Sequence, residues 1–161
     1  MTIQTTINMH ESIKRELDRA SAELNISRTC IIRLLLKSFL DDNKKTKIFQ
    51  SPVKYQAKDD KQNWSKFHIT LREDEYELCL DLRKVYKMSF SFIISSAVRK
   101  YLKKIFDIIN TQTSEKITDN YLFHNYAFSF TMNNSGIKII KIHWGVTNIN
   151  DLITDNYQNT I

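Results

Sequence analysis

Gln4, Thr6 and Asn8 alternate along the first residues of the chain, and Lys66, His68 and Thr70 alternate along a second segment far downstream. Their shared chemistry is hydrogen bonding to the edges of flat heterocycles. A glutamine or asparagine amide bonds bidentately to adenine, a lysine donates to guanine, and a threonine bonds either or touches a thymine methyl. Histidine does some of each. Side chains two residues apart point the same way only in an extended strand, so each triplet acts together only if its segment is a β-strand. Both segments carry that pattern. Ile3, Thr5, Ile7 and Met9 interleave with the first triplet, and Phe67, Ile69 and Leu71 interleave with the second. Each strand then has one apolar face and one polar face.

A short strand on its own leaves a row of backbone N–H and C=O groups unpaired. An internal repeat supplies the partner. Displaced by 62 residues, segment 7–40 meets segment 69–102 without a gap. Ile7 meets Ile69, Glu11 meets Glu73, Ser27 meets Ser89, and Ile31 and Ile32 meet Ile93 and Ile94. After the strand, each copy has an amphipathic helix. Ile13, Leu17, Ala20 and Leu24 form one face of a 3.6-residue period, and Tyr76, Cys79, Leu82 and Tyr86 take the same role downstream. Glu11 in one copy and Glu73, Asp74 and Glu75 in the other suit the positive end of a helix dipole. Ser27 and Ser89 are placed to cap a second helix.

Those second helices, "IIRLLLKSFL" and "FIISSAVRKYL", are too apolar for a one-sided surface helix. One strand and one preceding helix cannot cover them, so each unit needs a second unit. Residues 2–9 are therefore predicted to pair antiparallel with residues 66–71, over a core shared by the second helices. Gln4, Thr6, Asn8, Lys66, His68 and Thr70 are left on the open face of a two-stranded ribbon, which fits the major groove of DNA. The starts of the second helices offer free backbone N–H groups to phosphates.

Each repeat resembles the ribbon-helix-helix family of DNA-binding proteins, the Arc, MetJ and CopG repressor group. The resembling stretches, "TINMHESIKRELDRASAELNISRTCIIRLLLKSF" and "KFHITLREDEYELCLDLRKVYKMSFSFIISSAVRKYL", cover about half the chain. Two copies in one chain resemble the TraY-like proteins of conjugative plasmids. The resemblance implies a mainly α fold with a short two-stranded antiparallel β-ribbon, two ribbon-helix-helix units closing as an intrachain pseudo-dimer. It implies that Gln4, Thr6, Asn8, Lys66, His68 and Thr70 contact bases, and that Ser27, Arg28, Thr29, Ser89 and Ser91 contact phosphates. Two departures stand out. Asn25 and Lys87 occupy the turn where the family often has Gly; Asn tolerates the left-handed conformation and Lys does so poorly. Phe90 sits where the first copy has Arg28, so either the second phosphate contact is weaker or Phe90 packs elsewhere. The unequal triplets predict a non-palindromic or imperfectly palindromic DNA site.

The totals agree with a binding protein. The 161 residues carry a net charge of +6, with only two Gly and one Pro. That composition argues against a Gly-rich phosphate-binding fold and against a Pro-rich disordered chain. The charge is concentrated in the middle: residues 1–43 are neutral, 44–65 and 66–106 each carry +4, and 107–161 carry −2. His10, His68, His124 and His143 are scattered without metal-ligand spacing, and no nucleophile motif or phosphate-binding loop is legible, so no enzyme, metal or cofactor is expected. Cys30 and Cys79 read as buried small hydrophobes rather than a disulfide. No apolar run reaches the ~18–20 residues of a membrane span and no signal peptide is legible, so a cytoplasmic protein with no membrane partner is expected.

The expected organisation is a first repeat over residues 1–43, a basic linker over 44–64, a second repeat over 65–107 and a C-terminal extension over 111–161. The linker reads either as a solvated tether or as an electrostatic arm along a phosphate backbone. The extension reads as a β-hairpin. Tyr126, Phe128 and Phe130 share one face, Asn133–Gly136 supplies the turn, and residues 137–144 return. "NINDLITDNYQNTI", residues 148–161, reads as a short terminal helix. A hairpin alone is marginal in water, so it should dock on the core, pair with another chain or meet a partner. The leading expectation is a transcriptional repressor, or an accessory factor of a plasmid or mobile element, that binds double-stranded DNA. The alternative is a protein-interaction module, such as an antitoxin whose tail binds a partner protein. The repeats could close within one chain or exchange between chains into a higher homo-oligomer.

Overall fold

The computed structural model describes residues 1–42, 45–48, 52–57, 63–111, 126–132 and 134–144. Strand β1 (Thr2–His10) runs into helix α1 (Glu11–Leu24) and then helix α2 (Arg28–Asp42). A short strand β2 (Lys45–Ile48) follows. Strand β3 (Trp64–Arg72), helix α3 (Glu73–Tyr86) and helix α4 (Phe90–Thr111) repeat the first three elements, and strands β4 (Tyr126–Met132) and β5 (Lys138–Trp144) close the described chain. The fold is mainly helical, with a two-stranded antiparallel sheet made of β1 and β3.

The alternation read in the two strands decides their packing. Ile7 and Met9 of β1 and Phe67, Ile69 and Leu71 of β3 are buried, while Gln4, Thr6, Lys66, His68 and Thr70 are exposed. The buried residues roof a single core. Ile31, Ile32, Leu35 and Leu36 of α2 meet Ile93, Ile94, Ala97 and Val98 of α4 at its centre. The predicted faces of the first helices also point inward. Ile13, Leu17 and Ala20 are buried from α1, and Leu78, Cys79, Leu82 and Val85 from α3. The downstream face is thus set one position away from the expected stripe, with Tyr76 and Tyr86 only partly buried at its margin.

Both helix–helix corners use the same local device. Asn25 and Lys87 end α1 and α3 in the left-handed conformation, at φ 52° and 53°. The next serines cap the following helices as expected. The Ser27 Oγ accepts from the Cys30 backbone N–H at 3.2 Å, and the Ser89 Oγ accepts from that of Phe92 at 3.3 Å.

Several features depart from the sequence reading. Helix α4 continues to Thr111, past the expected end of the second repeat at residue 107, because Ile105 and Ile109 extend the apolar stripe of Tyr101 onto the core. Cys79 is buried, but Cys30 is only half-buried at the first turn of α2 and is not a core residue; both thiols are free. The linker is not wholly an open tether. Its residues 45–48 form β2, which pairs antiparallel with β5, so the expected hairpin of β4 and β5 becomes a three-stranded sheet in the order β2-β5-β4. A four-residue strand is too short to signal itself; β5 selects it by pairing. Gly136 takes the hairpin turn at φ 73°. The expected terminal helix over 148–161 lies outside the described residues.

Candidate nucleic-acid interface

The register of the ribbon decides which side chains act together. Gln4 lies opposite Thr70, Thr6 opposite His68, and Asn8 opposite Lys66. Because antiparallel partners point to the same face, all six residues of the two triplets share one face of the ribbon. At its centre the Thr6 Oγ1 and the His68 Nδ1 are hydrogen-bonded at 3.0 Å, tying the two triplets together. The face is longer than the sequence reading allowed. Arg72 continues the alternation of Lys66, His68 and Thr70, is exposed, and lies opposite Thr2 at the ribbon's end. The signal was present in the spacing, but the expected strand stopped at Leu71, one residue short of it.

The six residues are not equally available. Gln4, Thr6, Lys66, His68 and Thr70 are exposed, whereas Asn8 is half-buried with its Oδ1 enclosed and unpaired among the described residues. A bidentate contact from Asn8 requires its amide to turn out. Both of its backbone polar groups are engaged. The Asn8 N–H donates to the Ser91 Oγ at 3.0 Å, and the Asn8 carbonyl accepts from the Gln56 side chain at 3.0 Å. These bonds protect the outer edge of β1 at this point.

No protein-family model, no curated protein and no solved structure matches this chain.

The residues expected to meet phosphates lie at the two helix starts, flanking the ribbon. On the first, Ser27 is exposed and Thr29 half-buried. Arg28 is held between two partners, with its Nη1 3.2 Å from the Asp18 carboxylate and its guanidinium carbon 5.2 Å from the centre of the Phe67 ring. This fixes the cation beside the ribbon. On the second, Ser89 and Ser91 are half-buried and already engaged within the chain. The Ser89 N–H donates to the Lys54 carbonyl at 2.8 Å, and the Ser91 hydroxyl accepts from Asn8. Phe90 is partly buried against the core and lines a pocket with Thr5, Tyr76 and Cys79. Of the two readings left open for Phe90, packing is the one observed.

Behind the ribbon, the Arg33 guanidinium of α2 reaches the Glu75 carboxylate of α3, with Nη2 3.0 Å from Oε2. Glu75 is 3% exposed and its Oε2 also accepts from the Arg72 backbone N–H at 2.8 Å. The hydrogen bond to Glu75 pushes the Arg33 guanidinium above its ordinary value, so Arg33 stays charged at neutral pH. This carboxylate, read from sequence as one of three serving the helix dipole, therefore anchors the end of β3 to the other repeat. Among the described residues, no group of three or more His, Cys, Asp or Glu side chains is placed to hold a metal ion, and no helix is long and apolar enough to cross a membrane.

Proposed function

We propose that the protein binds double-stranded DNA in a sequence-specific manner, laying the β1–β3 ribbon in the major groove, and so acts as a transcriptional repressor or an accessory factor of a plasmid or mobile element. The observation that carries this reading is the shared polar face of the ribbon. Five exposed hydrogen-bonding side chains of the two triplets, with Asn8 and Arg72 beside them, converge on one surface from two strands in register. A two-stranded ribbon enters a major groove about 12 Å wide, and these side chain types match base edges there. The apolar face is committed to the core, so the ribbon is supported from behind and meets DNA with little ordering cost.

The reading extends to the architecture. The two strand–helix–helix units serve as the two halves of a ribbon-helix-helix dimer within one chain, and the protein acts by binding rather than by catalysis, in the cytoplasm. Since the two halves present different side chains, the preferred site has unequal half-sites. The net charge of +6 favours approach to a polyanion.

Selection of bound duplexes from a random pool at two salt concentrations tests the proposal. The expected result is an enriched motif of two unequal half-sites, with affinity falling steeply as salt rises. Binding without any enriched motif would rule out base reading by the ribbon. Light scattering at several concentrations checks the architecture, for which a monomer carrying one ribbon is the expected species.

A further inference from the structure

The two helix-start corners obtain their positive charge in different ways. At the first, Arg28 belongs to the helix and is braced by Asp18 and Phe67. At the second, 62 residues on, the matching residue is Phe90, which is partly buried against the core. Residues 52–57 lie across that corner instead. The Lys54 N–H donates to the Lys87 carbonyl at 2.7 Å, and the Lys54 carbonyl accepts from the Ser89 N–H at 2.8 Å. Beyond Lys54 the segment is pinned twice more. The Tyr55 hydroxyl accepts from Arg83 at 2.9 Å, and Gln56 donates to the Asn8 carbonyl of β1 at 3.0 Å. Four hydrogen bonds thus hold three consecutive residues as a strap between the α3–α4 corner and the edge of the ribbon.

We propose that Lys54 is a DNA-backbone contact, supplied by this strap to the half of the molecule where Phe90 has displaced the helix's own cation. The inference rests on the DNA-binding reading above and adds a residue that lies outside both repeats. Lys54 is exposed and makes no ion pair among the described residues, so its charge is available. Both of its backbone polar groups are bonded to the corner, which leaves only its side chain to be ordered when it meets an anion. Gln56, two residues on, is bonded to Asn8, so the strap flanks the ribbon where DNA in the groove would bring its phosphates. The Ser89 N–H, which a bare helix start would offer to a phosphate, is already spent on the strap. The strap therefore substitutes a lysine ammonium for that N–H.

The test compares the full-length wild type, Lys54→Ala, Arg28→Ala, Gln4→Ala and Lys66→Ala on the selected duplex across a salt series, with phosphate-ethylation interference on each strand. The expected result for Lys54→Ala is a salt slope shallower by about one and binding about tenfold weaker near 0.1 M salt. Its motif should be unchanged, and interference should vanish at phosphates beside one half-site only. Arg28→Ala should lose interference beside the other half-site. Thermal unfolding of Lys54→Ala should match the wild type, since the bonds from Lys54 are made by its backbone. A wild-type slope and interference pattern for Lys54→Ala, with Gln4→Ala and Lys66→Ala weakened, would overturn the contact and leave the DNA reading intact. Tighter binding by Lys54→Ala would overturn it too, and would make the strap an obstruction. If Gln4→Ala and Lys66→Ala bind as well as wild type, with no preferred motif, the DNA reading fails and the inference with it.

Discussion

Arg33 grips the buried carboxylate of Glu75 across the two repeats, through a bidentate ion pair between residues 42 positions apart. The repeat has no counterpart of this pair. Displacement by 62 residues sets Ser95 at the place of Arg33 and Ile13 at the place of Glu75. Ser95 is 1% exposed, and its hydroxyl has no hydrogen-bond partner among the described residues. Two first repeats packed together would set Arg33 against Ile13, and two second repeats would set Glu75 against Ser95. Each arrangement strands a charge, so the ion pair favours a first repeat with a second.

The two partners should respond unequally to substitution. Arg33→Ser leaves the Glu75 carboxylate buried and half-satisfied, which should cost about 2–3 kcal/mol in urea unfolding. Glu75→Ile leaves Arg33, one-third exposed, free to turn toward water, and should cost less. The double variant reproduces the Ser and Ile of the other side and should recover most of the loss. Strictly additive losses would show that the pair does not act as a unit.

Ribbon substitutions should separate binding from folding. Gln4 and Lys66 are exposed and far from the buried face of their strands. Gln4→Ala and Lys66→Ala should each weaken specific DNA binding by about 1–3 kcal/mol and relax preference at one position of the site. Thermal unfolding should move little. Competition binding against single-base variants of the selected duplex measures both effects.

Lys87 is held at φ 53° with no glycine to relieve it. Asparagine, as at Asn25 of the matching corner, tolerates this conformation better than lysine because a short polar side chain is able to bond locally. Lys87→Gly should therefore stabilise the DNA-free protein by about 0.5–1 kcal/mol, the relief of the left-handed strain exceeding the extra freedom of glycine in the unfolded chain. Asn25→Gly should change stability less. Paired urea titrations of the two variants check the difference.

Thiol chemistry should report the two cysteine environments. Burial pushes the Cys79 thiol far above its usual value, with the Glu75 charge adding to the effect. Burial also raises Cys30, while the nearby Arg33 charge opposes it. A raised value means less thiolate at a given pH, and the thiolate is the nucleophile. At pH 8 an alkylating reagent should modify Cys30 slowly in the native protein, and Cys79 only through unfolding. Mass mapping of the modified sites over time, with and without urea, tests the order.

Much of the fold was legible because it depends on short periods. Alternation of two marked the ribbon faces, and a repeat whose second helices are too apolar for one unit to cover predicted the pairing of β1 with β3. The 3.6-residue stripe of Ile13, Leu17 and Ala20 marked the buried side of α1, and Ser27 and Ser89 marked the helix starts. Such signals are local. Each residue type is constrained by the element it sits in, and the repeat states the same constraint twice.

What the tertiary structure alone decided involves partners distant in sequence or groups without side chain identity. Arg33 and Glu75 are ordinary surface types until packing buries one against the other. Strand β2 is four residues of a lysine-rich linker until β5 pairs with it. Two of the four hydrogen bonds of the strap join backbone groups of Lys54, Lys87 and Ser89, and a backbone N–H or C=O is the same whichever side chain it carries. The sequence alone therefore determined the repeats, their elements and the composition of the ribbon face. The tertiary structure decided which charge is buried, which helix start is covered and which lysine lies beside the ribbon, because those depend on where the chain returns in space.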